Sequence, residues 1–100
     1  MPSYVVEESS RSVRVFWLRQ DRLLKDIRKT AEKVGKESPA VKEIILFGSL
    51  AEGRAVPGSD ADILIVLWED DRPFLERVGD WLSRFDVDFP VEVFPYTVAE

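Results

Sequence analysis

The sequence predicts a small α+β domain in which a mixed β-sheet is flanked by helices. Two apolar runs, at residues 41–47 and 61–68, have the length and composition of buried strands. Two other segments, at residues 21–34 and 73–85, repeat apolar residues at helical spacing. Strands and helices therefore alternate along the chain, and its 100 residues are too few for two domains. We expect residues 1–100 to form a single domain.

The N-terminal segments have the least regular pattern. Residues 1–11 are mostly polar and predict a flexible arm or an extra edge strand. In residues 12–18, the side chains of Val13, Val15 and Trp17 fall on one side of an extended chain, which favours a strand. The rival interpretation extends the following helix back to Val13.

The helix predicted at residues 21–34 is the clearest element in the sequence. Its apolar residues form one stripe, made of Leu23, Leu24, Ile27, Ala31 and Val34. Asp21 can cap its first turn, and Gly35 is expected to end it. Pro39 cannot continue a helix, so a turn is expected before the next strand.

The two apolar strands surround a glycine-rich loop at residues 48–59. Both strands, 41–47 and 61–68, are apolar on both faces, which predicts central positions in the sheet. The loop contains three Gly and one Pro, so at most one helical turn is expected within it.

The C-terminal third predicts one more helix and one more strand. Residues 69–72 are charged and predict a solvated turn, and Pro73 suits the first position of the helix that follows. Residues 87–96 predict a last strand, which Pro90 places at an edge of the sheet or at a bulge.

Composition excludes several kinds of site. The sequence has no Cys and no His, so a metal site would have to use oxygen ligands, which Mg²⁺ and Mn²⁺ prefer. The net charge of −5 argues against direct binding to nucleic acid. No segment reaches the roughly 20 apolar residues that span a bilayer, and no signal peptide pattern is visible. A cytoplasmic protein that binds no membrane is therefore expected.

Two weaker indications also come from composition. Asn is absent and Gln20 is the single Gln, while charged residues make up 33% of the chain, which is typical of a thermophilic source. A chain this short buries a modest fraction of its surface, which favours a homo-oligomer or a partner protein.

Two aspartates stand where the second apolar strand begins. Residues two apart in a strand point to the same face, so Asp60 and Asp62 direct their carboxylates into one space, about 7 Å apart at the backbone. Two neighbouring carboxylates repel each other, and a divalent cation would relieve that repulsion. Asp60 and Asp62 are therefore candidate metal ligands.

The first apolar strand leads directly into Gly48 and Ser49. Glycine allows a phosphate to approach the backbone closely, and amide groups at the start of a helical turn favour an anion. The Ser49 hydroxyl can donate a further hydrogen bond to a triphosphate. Arg54, in the same loop, could add a positive charge to the triphosphate site.

The arrangement of Gly48, Ser49, Asp60 and Asp62, with ten residues between the two pairs, resembles the signature of the polymerase-β-like nucleotidyltransferases. Residues 41–66 are especially similar to the minimal nucleotidyltransferases of bacteria and archaea. The resemblance implies a nucleotidyltransferase fold and the transfer of AMP from ATP to an acceptor, with two Mg²⁺ ions. Family members carry a third carboxylate on a neighbouring strand. Glu92 is the first candidate for it, and Asp88, which has the same parity, is the second.

The same resemblance implies a biological setting. Minimal nucleotidyltransferases commonly form a complex with a small helical HEPN-domain protein, as antitoxins that can adenylylate this partner on a hydroxyl. We therefore expect a HEPN-domain partner and a toxin–antitoxin pair. The alternative is a binding-only antitoxin with weak or vestigial catalysis. A Glu in place of the more usual third Asp supports that alternative.

Overall fold

A computed structural model describes residues 4–10 and 12–100 of the chain. Within these residues the element order is β1 (Val5–Ser10), β2 (Val13–Leu18), α1 (Gln20–Glu37), β3 (Val41–Phe47), β4 (Ala61–Leu67), α2 (Phe74–Leu82) and β5 (Val91–Thr97). β1 and β2 form an antiparallel hairpin. A second sheet has the order β3-β4-β5, antiparallel between β3 and β4 and parallel between β4 and β5. The predicted α+β class with a small mixed sheet is confirmed.

The N-terminal hairpin is joined to α1 at its base. The Arg19 amide donates to the Tyr4 carbonyl at 2.8 Å, and the Tyr4 hydroxyl donates to Asp26 Oδ2 at 2.5 Å. Burial and this hydrogen bond raise the pKa of Tyr4 to about 12. The strand interpretation of residues 12–18 is confirmed, and the rival helix is wrong. β1 lies within the segment 1–11, of which residues 1–3 and 11 lie outside the described part.

Helix α1 is longer than predicted at both ends. It begins at Gln20, so Asp21 lies in its first turn and the N-cap residue is Arg19, whose side chain makes no capping hydrogen bond. Gly35 lies inside the helix, because the chain stays helical there and needs no left-handed residue. The helix ends before Ser38, whose φ of −124° and ψ of 94° are extended. Pro39 disfavours helical angles at the residue before it, which explains this end point.

Both helices cover the same face of the three-stranded sheet. In β4, Ala61, Ile63, Ile65 and Leu67 are buried, whereas the residues between them are half-buried. The buried residues face the helices, and the alternate residues face an uncovered side. The prediction that residues 41–47 form a central strand is wrong, because β3 is an edge strand. Its apolar residues Ile45 and Phe47 are 37% and 41% exposed on the uncovered face.

Helix α2 covers β5 and holds a buried arginine. Pro73 is the N-cap residue of the helix, one position before the predicted one, and i→i+3 turns continue the chain to Phe85. The Arg77 side chain donates to Arg72 O at 2.9 Å, to Asp70 O at 3.0 Å and to the Glu100 carboxylate at 2.6 Å. These hydrogen bonds tie the β4–α2 connection to Glu100.

The connection between β4 and α2 is better ordered than the sequence predicts. The side chain of Asp70 is 11% exposed and receives hydrogen bonds from Arg72, which lower the pKa of Asp70 to about 2. Arg72 also donates to Asp80 at 2.9 Å, so the connection is bound to α2. The prediction of a solvated turn at residues 69–72 is therefore wrong for Asp70. None of the helices in the described residues is long and apolar enough to cross a membrane.

Candidate active site

The turn that follows β3 brings the backbone against an acidic side chain. Gly48 has a φ of +82°, and a Cβ atom placed on it would lie 2.3 Å from Asp62 Oδ2. Its carbonyl accepts a hydrogen bond from the Glu52 amide at 3.1 Å, and the Ser49 carbonyl accepts one from the Arg54 amide at 2.8 Å. Only glycine satisfies both the left-handed backbone and the close approach of the carboxylate. The turn that follows β3 and the Asp62 side chain of β4 therefore meet at Gly48.

The two predicted aspartates lie at the start of β4. Asp60 is exposed and directly precedes the strand, and Asp62 is half-buried within it. The Ala61 amide between them donates to the Pro90 carbonyl at 2.8 Å, which fixes the start of β4 against the segment before β5. The pairing of β3 with β4 places Phe47 directly opposite Asp62.

The strand register separates the two candidates for the third carboxylate. β4 and β5 are parallel, and Glu92 is the direct partner of Asp62, so both side chains lie on the uncovered face. Asp88 lies before β5, and its charge is one of the causes that raise the pKa of Tyr4, so it belongs to the surroundings of the hairpin base. The geometry therefore brings Glu92, rather than Asp88, beside Asp62.

The loop between β3 and β4 is anchored at its buried residues. Leu50 and Ala55 belong to the core, and the Ala55 amide donates to Gln20 Oε1 at 3.3 Å. Further along, the Val56 amide donates to Ser59 Oγ at 3.0 Å, which forms a tight turn directly before Asp60. Both hydrogen bonds hold the loop at the end of the sheet, and neither involves the carboxylates of Asp60 or Asp62.

Arg54 lies at the surface of this loop. Its backbone is next to Ser49, and its side chain forms an ion pair with Glu52. The two side chains are 70% and 58% exposed, and an exposed pair of this kind contributes little to stability. The backbone of Arg54 therefore lies beside the Gly48–Ser49 turn, and its exposed guanidinium group can exchange Glu52 for another anion.

The donors at the sheet end suit a hard cation. In the described residues, no group of three Asp, Glu, Cys or His side chains lies close enough to hold a metal ion by itself. Mg²⁺ does not require such a cage, because it is usually bound by one or two carboxylates together with substrate phosphates and water. The adjacent carboxylates of Asp62 and Glu92, with Asp60 two residues before Asp62, offer ligands of this type beside the Gly48–Ser49 turn.

Comparison with known proteins agrees with this geometry. The family model of the nucleotidyltransferase domain matches residues 27–93, which include Gly48, Asp60, Asp62 and Glu92. The chain belongs to this nucleotidyltransferase family. A solved structure of a candidate nucleotidyltransferase from Sulfolobus solfataricus is 30% identical to it, with a TM-score of 0.65. The similarity covers 81% of this chain and 72% of that one. No curated protein matches the sequence closely.

The contact between two aromatic rings beside the carboxylates was not predicted from the sequence. Phe47 is the strand partner of Asp62, and Phe94 lies two residues after Glu92 on the same uncovered face, with the two ring centroids 5.5 Å apart. The parity of Phe94 with Glu92 was available as a signal in the sequence. The position of Phe47 could not be read in the same way, because it depends on the pairing of β3 with β4.

Proposed function

We propose that this nucleotidyltransferase transfers AMP from ATP, with Mg²⁺, to a hydroxyl group of a partner protein. The observation that supports the proposal is the convergence at Asp62. A left-handed glycine turn approaches its carboxylate from one side, and Glu92 is its direct strand partner on the other. A phosphate-binding turn beside two oxygen ligands suits a metal–triphosphate complex.

The residues have separate tasks in this proposal. The backbone amides of the Gly48–Ser49 turn and the Ser49 hydroxyl hold the β- and γ-phosphates, and Arg54 adds positive charge from the loop. Asp60, Asp62 and Glu92 would hold the Mg²⁺ ions. Bound Mg²⁺ supplies Lewis-acid polarisation of the phosphoryl oxygens.

The chemical step is a displacement at the α-phosphorus. The acceptor oxygen forms a bond to the α-phosphorus while the bond from that atom to the bridging oxygen of pyrophosphate breaks. Glu92 takes the proton of the acceptor hydroxyl, and pyrophosphate leaves with the electron pair of the broken bond. The tight packing of Gly48 against Asp62 orients the aspartate toward the phosphates.

The acceptor proposed here is a HEPN-domain protein, with this chain as the cytoplasmic antitoxin of the pair. The family resemblance supports the partner, and the net charge of −5 argues against a nucleic-acid acceptor. A homo-oligomer of the nucleotidyltransferase within the complex is also compatible with the small size of the domain.

A second candidate function is a binding-only antitoxin that occludes its partner. The specific observation in its favour is that Glu92 occupies the position of the third carboxylate, where the family resembled more often has Asp. In that case the Gly48–Ser49 turn and the carboxylates beside it would serve binding alone. Substitution of Asp62 would then leave inhibition of the partner intact.

The test is transfer of label from α-labelled ATP to the co-encoded partner protein, with Mg²⁺ or with EDTA. We expect labelling with Mg²⁺, and a loss of at least about 100-fold in Asp62→Asn and Glu92→Gln. Asp88→Asn is the matched control, because it removes the charge of the rival carboxylate and should retain labelling. Labelling that persists in Asp62→Asn would exclude the mechanism. Absence of labelling together with undiminished inhibition of the partner would establish the binding-only function.

A further inference from the structure

The uncovered face of the sheet carries side chains in three rows that cross all three strands. Register alone defines the rows, since direct strand partners share a face. The acidic row is Phe47, Asp62 and Glu92; the next is Ile45, Leu64 and Phe94; the last is Glu43, Val66 and Tyr96. The middle row is entirely apolar and lies directly beside the two carboxylates.

The apolar members of these rows form one continuous surface, which we call the open-face patch. It consists of Ile45, Phe47, Leu64, Val66, Phe94 and Tyr96. Ile45, Phe47 and Tyr96 are 37%, 41% and 42% exposed, and the other three are half-buried. The Phe74 ring extends the surface past Tyr96, with centroids 5.0 Å apart. Contiguous apolar surface of this kind marks an interaction site, whereas single exposed apolar residues are ordinary.

A shallow groove continues the patch away from the carboxylates. Its volume is about 550 Å³, and Lys42, Val66, Tyr96 and Val98 are among the residues that line it. Val98 is 51% exposed. The patch and the groove together provide a path of apolar surface from the acidic row to the opposite end of the sheet.

If the acceptor is placed by the proposed function, on which this inference rests, it lies over the open-face patch and the groove. The triphosphate is held at the end of β3, by Gly48 and Ser49. In-line displacement requires the acceptor oxygen to approach from the side opposite to the leaving pyrophosphate. That side is β5, where Glu92 stands across Asp62 from the turn and Phe94 follows on the same face.

Charge restricts what can occupy the open-face patch. Asp62 and Glu92 border it at one end and Glu43 at the other, and the cation that reaches the groove is Lys42. A polyanion such as nucleic acid would be repelled by the carboxylates. A second copy packed face to face in antiparallel fashion would oppose the Glu43 of one copy to the acidic row of the other. A protein surface with an apolar centre and basic margins is complementary to the open-face patch and to the carboxylates at both of its ends.

We propose that the open-face patch is the docking surface for the acceptor protein, which presents its hydroxyl from an apolar surface bordered by Lys or Arg.

The test uses a defined peptide, so it does not depend on an identified partner. The probe is the amidated, acetylated pentapeptide Lys-Leu-Tyr-Leu-Lys, and the comparison probes are its counterpart with Glu at both ends and decathymidylate. Each is titrated into the ¹⁵N-labelled domain, and the backbone amide shifts are mapped. We expect the basic peptide to shift amides in β4 and β5 around Leu64 and Phe94. The acidic peptide and the oligonucleotide should leave these amides unchanged.

Two variants with the same change in charge provide the matched comparison. Ile45→Lys places a cation in the open-face patch, and Leu75→Lys places one on α2, where Leu75 is 82% exposed. Binding of the basic peptide should weaken by about fivefold or more in Ile45→Lys and stay within about twofold in Leu75→Lys. Tyr96→Ala tests the same surface without a new charge. Ile45, Leu75 and Tyr96 are all exposed, and the NMR spectrum of each variant shows directly whether it is folded.

The outcomes separate this proposal from the proposed function. Shifts on another face, no binding of the peptide, or equal binding of the acidic peptide or decathymidylate would overturn the docking surface. A separate titration with Mg²⁺ and ATP should shift the amides of residues 48–62. If it shifts none of them while the peptide still maps to the patch, the nucleotidyl transfer proposal fails and the docking surface stands.

Discussion

Replacement of Gly48 by Ala should destabilise the domain through two separable effects. The residue has a φ of +82°, and a left-handed conformation costs an alanine about 1–2 kcal/mol. The new Cβ would also lie 2.3 Å from Asp62 Oδ2, so the carboxylate must turn away. Forcing a side chain off its rotamer costs about 0.5–1.5 kcal/mol. We therefore expect Gly48→Ala to lower the free energy of unfolding by about 1.5–3.5 kcal/mol.

Two other glycines isolate these effects. Gly53 has a φ of +73° but no atom within 4 Å of a Cβ placed on it, so Gly53→Ala should show the backbone cost alone. Gly58 has neither feature, and Gly58→Ala should be close to neutral. In the Asp62→Ala background the contact is absent, so Gly48→Ala should then cost about 0.5–1.5 kcal/mol less.

The assay is urea unfolding followed by tryptophan fluorescence, for each single variant and for the double variant. With an m-value of about 1–3 kcal/mol/M, the expected loss in Gly48→Ala lowers the midpoint by about 0.5–3.5 M. Equal destabilisation by Gly48→Ala and Gly53→Ala, with no coupling between Gly48→Ala and Asp62→Ala, would refute the packing of the glycine turn against the aspartate.

Three further predictions concern stability. Tyr4→Phe removes the hydrogen bond to Asp26 and should cost about 1.5–3 kcal/mol in urea unfolding. The pKa of Tyr4 is raised to about 12, so its stabilising contribution is complete below pH 10 and is lost as the pH rises toward 12; absorbance at 295 nm should show one of the two tyrosines titrating late. The pKa of Asp70 is lowered to about 2 by Arg72, so the stability advantage of the wild type over Asp70→Asn should be complete above pH 4 and vanish as the pH falls to 2. Arg77→Met leaves buried carbonyl groups without their donor and should cost about 2–4 kcal/mol, whereas a midpoint within error of the wild type would show that water replaces the guanidinium group.

The sequence by itself determined the elements and the motif, because both are local. The period of Leu23, Ile27 and Val34 specifies α1 whatever packs against it, and all three are buried. The spacing of Gly48–Ser49 from Asp60 and Asp62 carries the family signature within one strand–loop–strand segment. Strand parity likewise predicts one side for Asp60 and Asp62, and in the structure Asp62 lies within β4 while Asp60 directly precedes it.

Only the tertiary structure decided which residues meet across strands. Whether Glu92 or Asp88 stands beside Asp62 depends on the register of a parallel pair whose strands are joined through α2, and no local pattern encodes that register. The same holds for the uncovered face. Apolar residues on both sides of β3 predict burial on both sides, but the helices cover one face, which leaves Ile45 and Phe47 exposed. The hydrophobic pattern predicts which side chains are shielded from water. Only packing decides whether this domain or another protein covers them.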